Sequence, residues 1–322
     1  MVATSMAGPY LISERFRRGV SSLEALGYEV IVMPHAVGCG DGVRTWVSGS
    51  REERLQDLHD AFNDPSVDAI FSAIGGAHSA HLLEDLDVNL IAANPKIFCG
   101  YSDATVLLHA IFARTGLVTF YGPAIIPEFG EYGGPDAEVL DQLIRVATKR
   151  DAPWVFPCVD WQAVESREQS DAELRARRRQ VGECRVCLRS GTATGPLFAG
   201  CLPSLRELVG TPWQPDYDGS LLLLDLPGEP YDVSTADADV NFLRNAGIFD
   251  GIKALLIGRS SGWTSDELAQ LHFCVRDATR GYEFPVLAGL ECSHAAPLLA
   301  IPIGTVCTIS DRELIILEPA VL

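Results

Sequence analysis

Hydrophobic positions along the first 120 residues follow two alternating rhythms. Phe16, Val20, Leu23 and Leu26 recur at three- and four-residue spacing, which predicts an amphipathic helix over residues 11–27, with Ser13 as its cap and Gly27 closing it. Residues 28–33 and 67–74 are apolar runs of strand length, the second ended by Gly75-Gly76. Helices are expected at about 51–62 and 78–86, and residues 88–92 are short and apolar. Residues 97–99 predict a buried strand, residues 106–112 a buried helix closed by Gly116, and residues 117–120 one more strand. Strands alternating with helices at this spacing predict parallel β/α units with helices on both faces. In such sheets function gathers at the carboxyl ends of strands, where Gly75-Gly76 and Ser102 fall.

Beyond a helix at about 135–150 the rhythm dissolves. Residues 158–192 are polar, with Arg175, Arg177, Arg178 and Arg179 in one cluster, and read as a connector or mobile loop. From 193 the texture is richer in sheet. Strands are expected at 220–225, 254–257, 305–309 and 314–317, and helices at about 203–209, 237–246 and 265–279. The expected fold is α/β: a flavodoxin-like N-terminal parallel-sheet domain (1–157), a connector (158–192), and a β-rich mixed α/β domain (193–322).

Ser102 stands at a tight strand-to-helix turn, with Gly100 two residues before it and Ala104 two residues after. A nucleophile elbow needs small residues at those places, because strand end and helix start approach closely. The following helix aims unpaired N–H groups at the hydroxyl, which suits a developing anion. The local alternative is a serine that only caps the helix.

Composition narrows the classes. A net charge of −18 argues against nucleic acid or an anionic membrane as partner. No apolar run reaches the length of a membrane span, and residues 1–6 lack the pattern of a signal peptide. Nine scattered cysteines do not read as a disulfide framework, so a reducing cytoplasm is the expected setting. Cys184 and Cys187 form a lone CxxC pair without a second pair at zinc-finger spacing. His78 and His81 stand at i, i+3 without the acidic pattern of a zinc peptidase, and no metal is expected. His109 reads as a core residue, and His35, His59 and His272 as surface residues. Gly75-Gly76 alone is a weak phosphate-loop signal, since the third glycine of a dinucleotide fingerprint is missing. No cofactor is implied.

Several segments together resemble the LD-carboxypeptidase family of serine peptidases, which includes the peptidases conferring self-immunity to microcin C. They are Gly75-Gly76, residues 83–87, residues 94–103 and residues 115–123 in the first half. In the second half they are Gly200-Cys201-Leu202, the strand into Asp225, Gly247-Ile248-Phe249-Asp250, Gly258-Arg259, and Ser293-His294 before residues 302–304. Asp160-Trp161 and Cys201 lean toward the microcin-immunity branch.

The resemblance implies a triad split across two domains, with Ser102 as nucleophile, His294 as base and Asp225 as orienting acid. The family usually carries Glu at the third place, so Asp225 is one methylene short; Glu229 is the second candidate. The family's first strand is abbreviated here to residues 2–5. The N–H groups of Gly76 and Asp103 are expected to bind the oxyanion, and Gly75 and Tyr101 to contact substrate. Arg259 is a candidate grip for a substrate carboxylate. The implied activity is hydrolysis, through an acyl-enzyme, of an amide or acyl bond near the C-terminus of a small peptide. The substrate is a murein stem peptide or a microcin C-like aminoacyl or peptidyl nucleotide, and a homodimer is expected. Against the nucleotide, residues 182–190 offer no Trp where that branch has an aromatic to stack on a purine. The competing reading is a non-catalytic binding protein on the same scaffold.

Overall fold

The computed structural model describes residues 1–164, 175–228 and 230–321. Its chain is α/β in both halves. A four-stranded sheet in the N-terminal region runs in the order Ala69–Phe71, Ile97–Gly100, Phe120–Tyr121, Ile301–Pro302. The first three strands are parallel, and the last, contributed by the far end of the chain, is antiparallel to Phe120–Tyr121.

An eight-stranded mixed sheet runs Trp154–Val155, Glu313–Ile316, Val306–Ser310, Thr192–Cys201, Leu221–Asp225, Ala254–Gly258, Val286–Leu290, Val186–Arg189. Its four strands from Thr192–Cys201 to Val286–Leu290 are parallel to one another. Leu221–Asp225, Ala254–Gly258 and Val286–Leu290 are buried along their whole length. Near-continuous apolar runs are what parallel strands covered on both faces require.

Local chemistry sets the helix starts. Ser50 and Glu53 form a reciprocal capping box ahead of Arg51–Asn63, and Thr264 and Glu267 do the same for Ser265–Ala278. Asp87 caps a short helix, Val88–Ala93, from the apolar run at 88–92. The helix Thr105–Thr115 is buried on every side from Thr105 to Ile111, because it lies among elements of both halves. The first long helix spans Ser13–Ala25 and presents Phe16, Gly19 and Leu23 inward. Ser13 does not cap it: Ile12 holds that place without a side-chain bond, because a short turn of helix, Gly8–Leu11, leads straight into it.

Three further expectations change. Residues 28–33 form no strand. Their natural neighbour, residues 2–5, makes only one parallel bridge, Val2 to Ser72, so two backbone bonds to Met1 are all the ladder they obtain. Residues 79–85 wind as a three-ten helix. The stretch 158–192 carries a two-stranded ribbon, Trp161–Ala163 with Arg179–Val181, and the edge strand Val186–Arg189. Arg177 is buried against Glu131, and Arg179 pairs with Asp136 at 2.8 Å while lying 3.8 Å over the Trp161 ring.

Candidate active site

The strand Ile97–Gly100 ends against Gly100, where a Cβ would stand 2.8 Å from the Ser72 Cβ and 3.0 Å from the Ala104 Cβ. Only a glycine, with the small side chains of Ser72 and Ala104 against it, lets the chain turn here. Ser102 then takes φ 58°, a left-handed conformation that a non-glycine residue holds only when its surroundings impose it. The half-buried hydroxyl is thereby lifted out of the turn, with the fully buried Asp103 and Ala104 behind it.

Gly75 passes directly over this serine. A Cβ on it would lie 2.7 Å from the Ser102 Cβ and 2.8 Å from its Oγ. Gly76 has φ 143°, open to glycine alone, and packs on Ser5 and Met6. Its N–H has no hydrogen-bond partner among the described residues. The Asp103 carboxylate accepts the N–H groups of His78 at 3.0 Å and Ser79 at 2.9 Å, tying the loop that carries Gly76 to the elbow.

From the second sheet, Asp225 ends Leu221–Asp225 and is fully buried. Its Oδ1 accepts the His294 backbone N–H at 2.9 Å, and its Oδ2 meets the His294 Nδ1 at 2.8 Å. The shorter arm thus reaches the imidazole directly. The loop bearing His294 follows Val286–Leu290 and is anchored by Glu291. That carboxylate is fully buried and binds Arg185 at 2.7 Å and Arg259 at 2.9 Å. Arg259 also donates to the carbonyls of Trp161 and Val159. It is therefore structural, and not free to grip a substrate.

Tyr101 joins the two halves of the site. It immediately precedes Ser102, and its ring meets the His294 imidazole edge to face at 5.0 Å. Its side chain is buried and walls one side of the imidazole. No hydrogen bond joins the Ser102 hydroxyl to His294 among the described residues, the looser arrangement common before substrate enters. Glu229, the second candidate acid, lies outside the described residues.

Cys201 is the register partner of Asp225, and its Sγ lies within 4.8 Å of the ligand atoms of Asp225 and His294. Burial first, and then the Asp225 charge, push its thiol well above the usual range, so it remains neutral. Both Asp225 oxygens already accept hydrogen bonds, which leaves the cluster little to offer an ion.

Tyr121 was missed in the sequence. Its hydroxyl donates to Asp225 Oδ2 and accepts the Ser102 N–H at 3.2 Å. The signal available was a phenol at the end of a predicted strand. Among the histidines, His109 is a core residue as expected, bonded to the Tyr217 hydroxyl and the Ala199 carbonyl, each at 2.9 Å. His78 accepts the Trp46 indole N–H at 3.0 Å and packs on His81. His35, His59 and His272 are half-buried, and His35 is bonded to Asp57.

Residues 1–122 match the model of the LD-carboxypeptidase N-terminal domain, and residues 194–309 that of the C-terminal domain. The chain is 31% identical over 301 residues to the microcin C7 self-immunity protein MccF of Escherichia coli, covering 90% of this chain and 83% of MccF. It is 31% identical over 188 residues to the murein tetrapeptide carboxypeptidase of Pseudomonas aeruginosa, covering 58% of this chain and 54% of that protein. The solved structure of MccF in complex with aspartyl sulfamoyl adenosine superposes with a TM-score of 0.90 at 28% identity, over 100% of this chain and 96% of that one. The chain belongs to the LD-carboxypeptidase family and is a serine-type carboxypeptidase.

Proposed function

We propose that Ser102, His294 and Asp225 form the catalytic triad of a peptidase that hydrolyses an acyl bond near the C-terminus of an aminoacyl or peptidyl nucleotide. The observation that carries this is the bond between Asp225 Oδ2 and His294 Nδ1, beside a serine held at φ 58°. Asp225 fixes the tautomer, so Nε2 is the nitrogen left to take the Ser102 proton. The serine oxygen attacks the carbonyl. The N–H groups of Gly76 and Asp103 receive the oxyanion, worth a few kcal/mol for each well-placed donor. His294 gives its proton to the leaving group and then activates the water that releases the acyl chain. Gly75 supports this by leaving room over the nucleophile. No step calls for a metal or cofactor.

The choice of a nucleotide conjugate is supported by the likeness to MccF, seen with aspartyl sulfamoyl adenosine, along the whole chain. A murein stem peptide is the second reading, favoured by one local feature. Residues 182–190 supply no aromatic ring for a purine: Arg185 is buried on Glu291, and Val186–Arg189 is committed to the sheet. Free thiols at all nine cysteines support a reducing cytoplasm, and we carry a homodimer as part of the proposal. No helix among the described residues is long and apolar enough to cross a membrane.

Purified protein assayed against aspartyl sulfamoyl adenosine and a murein tetrapeptide tests the reading. Faster release of aspartate from the first supports it. Cleavage of the tetrapeptide alone moves the enzyme to the murein class. Cleavage of neither by folded protein favours a binding role.

A further inference from the structure

Tyr121 is fully buried and ends the strand Phe120–Tyr121. It lies opposite Gly100 of the elbow strand on one side and Ile301 on the other. Its hydroxyl lies between the two sheets, donating to Asp225 Oδ2 and accepting from the Ser102 N–H. The same Oδ2 takes the His294 Nδ1. Building on the catalytic reading above, we propose that Tyr121 is a positioning residue that holds the nucleophile's backbone and shares the acid's oxygen with the base.

Two consequences follow from the geometry. The Ser102 N–H is occupied, so it cannot serve the oxyanion, and the N–H of Asp103 is the next one in line. Three donors also converge on Asp225, namely the His294 N–H, the His294 Nδ1 and the Tyr121 hydroxyl. A carboxylate gripped by three donors is held in one orientation despite its short arm. Burial first, and then the Asp225 charge, push the phenol far above its ordinary range, so it remains a donor.

Removing the hydroxyl returns charge to Oδ2. Asp225 then binds the Nδ1 proton more strongly and favours the charged imidazole. In Tyr121→Phe the acid limb of the kcat/KM profile should therefore move to higher pH. The loosened elbow should lower kcat about 10- to 100-fold while KM stays within about threefold. Site-specific 3-fluorotyrosine at 121 keeps the hydroxyl but makes it a stronger donor, and should move the limb to lower pH. A limb that stays put in both proteins, or a defect confined to KM, overturns the proposal.

If Tyr121→Phe does not fold, the fluorotyrosine protein decides alone. If the wild type neither turns over nor labels with a serine-directed fluorophosphonate, the catalytic reading is what fails. The inference is then read from the Nδ1 proton resonance of His294. Displacement in opposite directions by the two substitutions supports the shared oxygen, and an unmoved resonance overturns it.

Discussion

At Gly75 the backbone runs so close to Ser102 that one methyl group would collide with the serine's own Cβ, 2.7 Å away. Gly75→Ala should keep the fold at a cost of about 1–3 kcal/mol for overpacking. It should lower kcat/KM about 10²-fold, because displacement of about an ångström is enough for that loss. Steady-state kinetics beside a melting curve check this; undiminished activity would show that the serine does not sit where the glycine places it. At this scale the sequence was informative where spacing carries the chemistry. Gly100, Ser102 and Ala104 announce an elbow, and Gly75-Gly76 the end of the strand beside it. Tyr121 was not legible, since a tyrosine closing a strand looks the same whether its hydroxyl meets water or a buried carboxylate. Arg259 misled for the related reason that its partner Glu291 lies 32 residues away.

The helix Thr105–Thr115 shows what an element adds to the residue that starts it. It is apolar on all sides, yet carries His109, whose ring is fully enclosed. Burial lowers its pKa from the ordinary 6.5 to about 4. The unfolded chain therefore binds a proton near pH 6.5 that the folded chain refuses until about 4. The stability this histidine contributes is present above 6.5 and is lost as pH falls toward 4, by about 3 kcal/mol in all. Urea unfolding of wild type and His109→Gln at pH 7.5 and 4.5 should show a smaller pH dependence in the variant; equal slopes would contradict it. The helix was legible from its apolar run, and its enclosure from the absence of a polar face. The strand expected at 28–33 was not a failure of pattern. Its apolar residues are strand-like, but strand formation needs a paired neighbour, and the first residues supply a single bridge.

For the whole molecule, the site exists because two sheets meet. In the proposed triad Ser102 comes from the first, Asp225 ends a strand of the second, and the loop bearing His294 is held by Glu291 between two buried guanidinium groups. Glu291→Ala leaves Arg185 and Arg259 buried without that carboxylate and should destabilise the protein by about 3–5 kcal/mol. Denaturant titration measures it; a change below about 1 kcal/mol, the scale of an exposed pair, would contradict the account. The alternation of strands and helices made the α/β class legible, but the exchange of strands between sheets was not. Ile301–Pro302 returns to the first sheet and Trp154–Val155 joins the second, and neither two-residue strand has a period to detect. The central claim is that Ser102 is made reactive by His294. The most direct measurement is fluorophosphonate labelling read by intact mass and peptide mapping. One adduct is expected on Ser102 in the wild type, none in Ser102→Ala, and labelling slowed at least about 10²-fold in His294→Ala. Folded wild-type protein that stays unlabelled, or an adduct on a different hydroxyl, would contradict it.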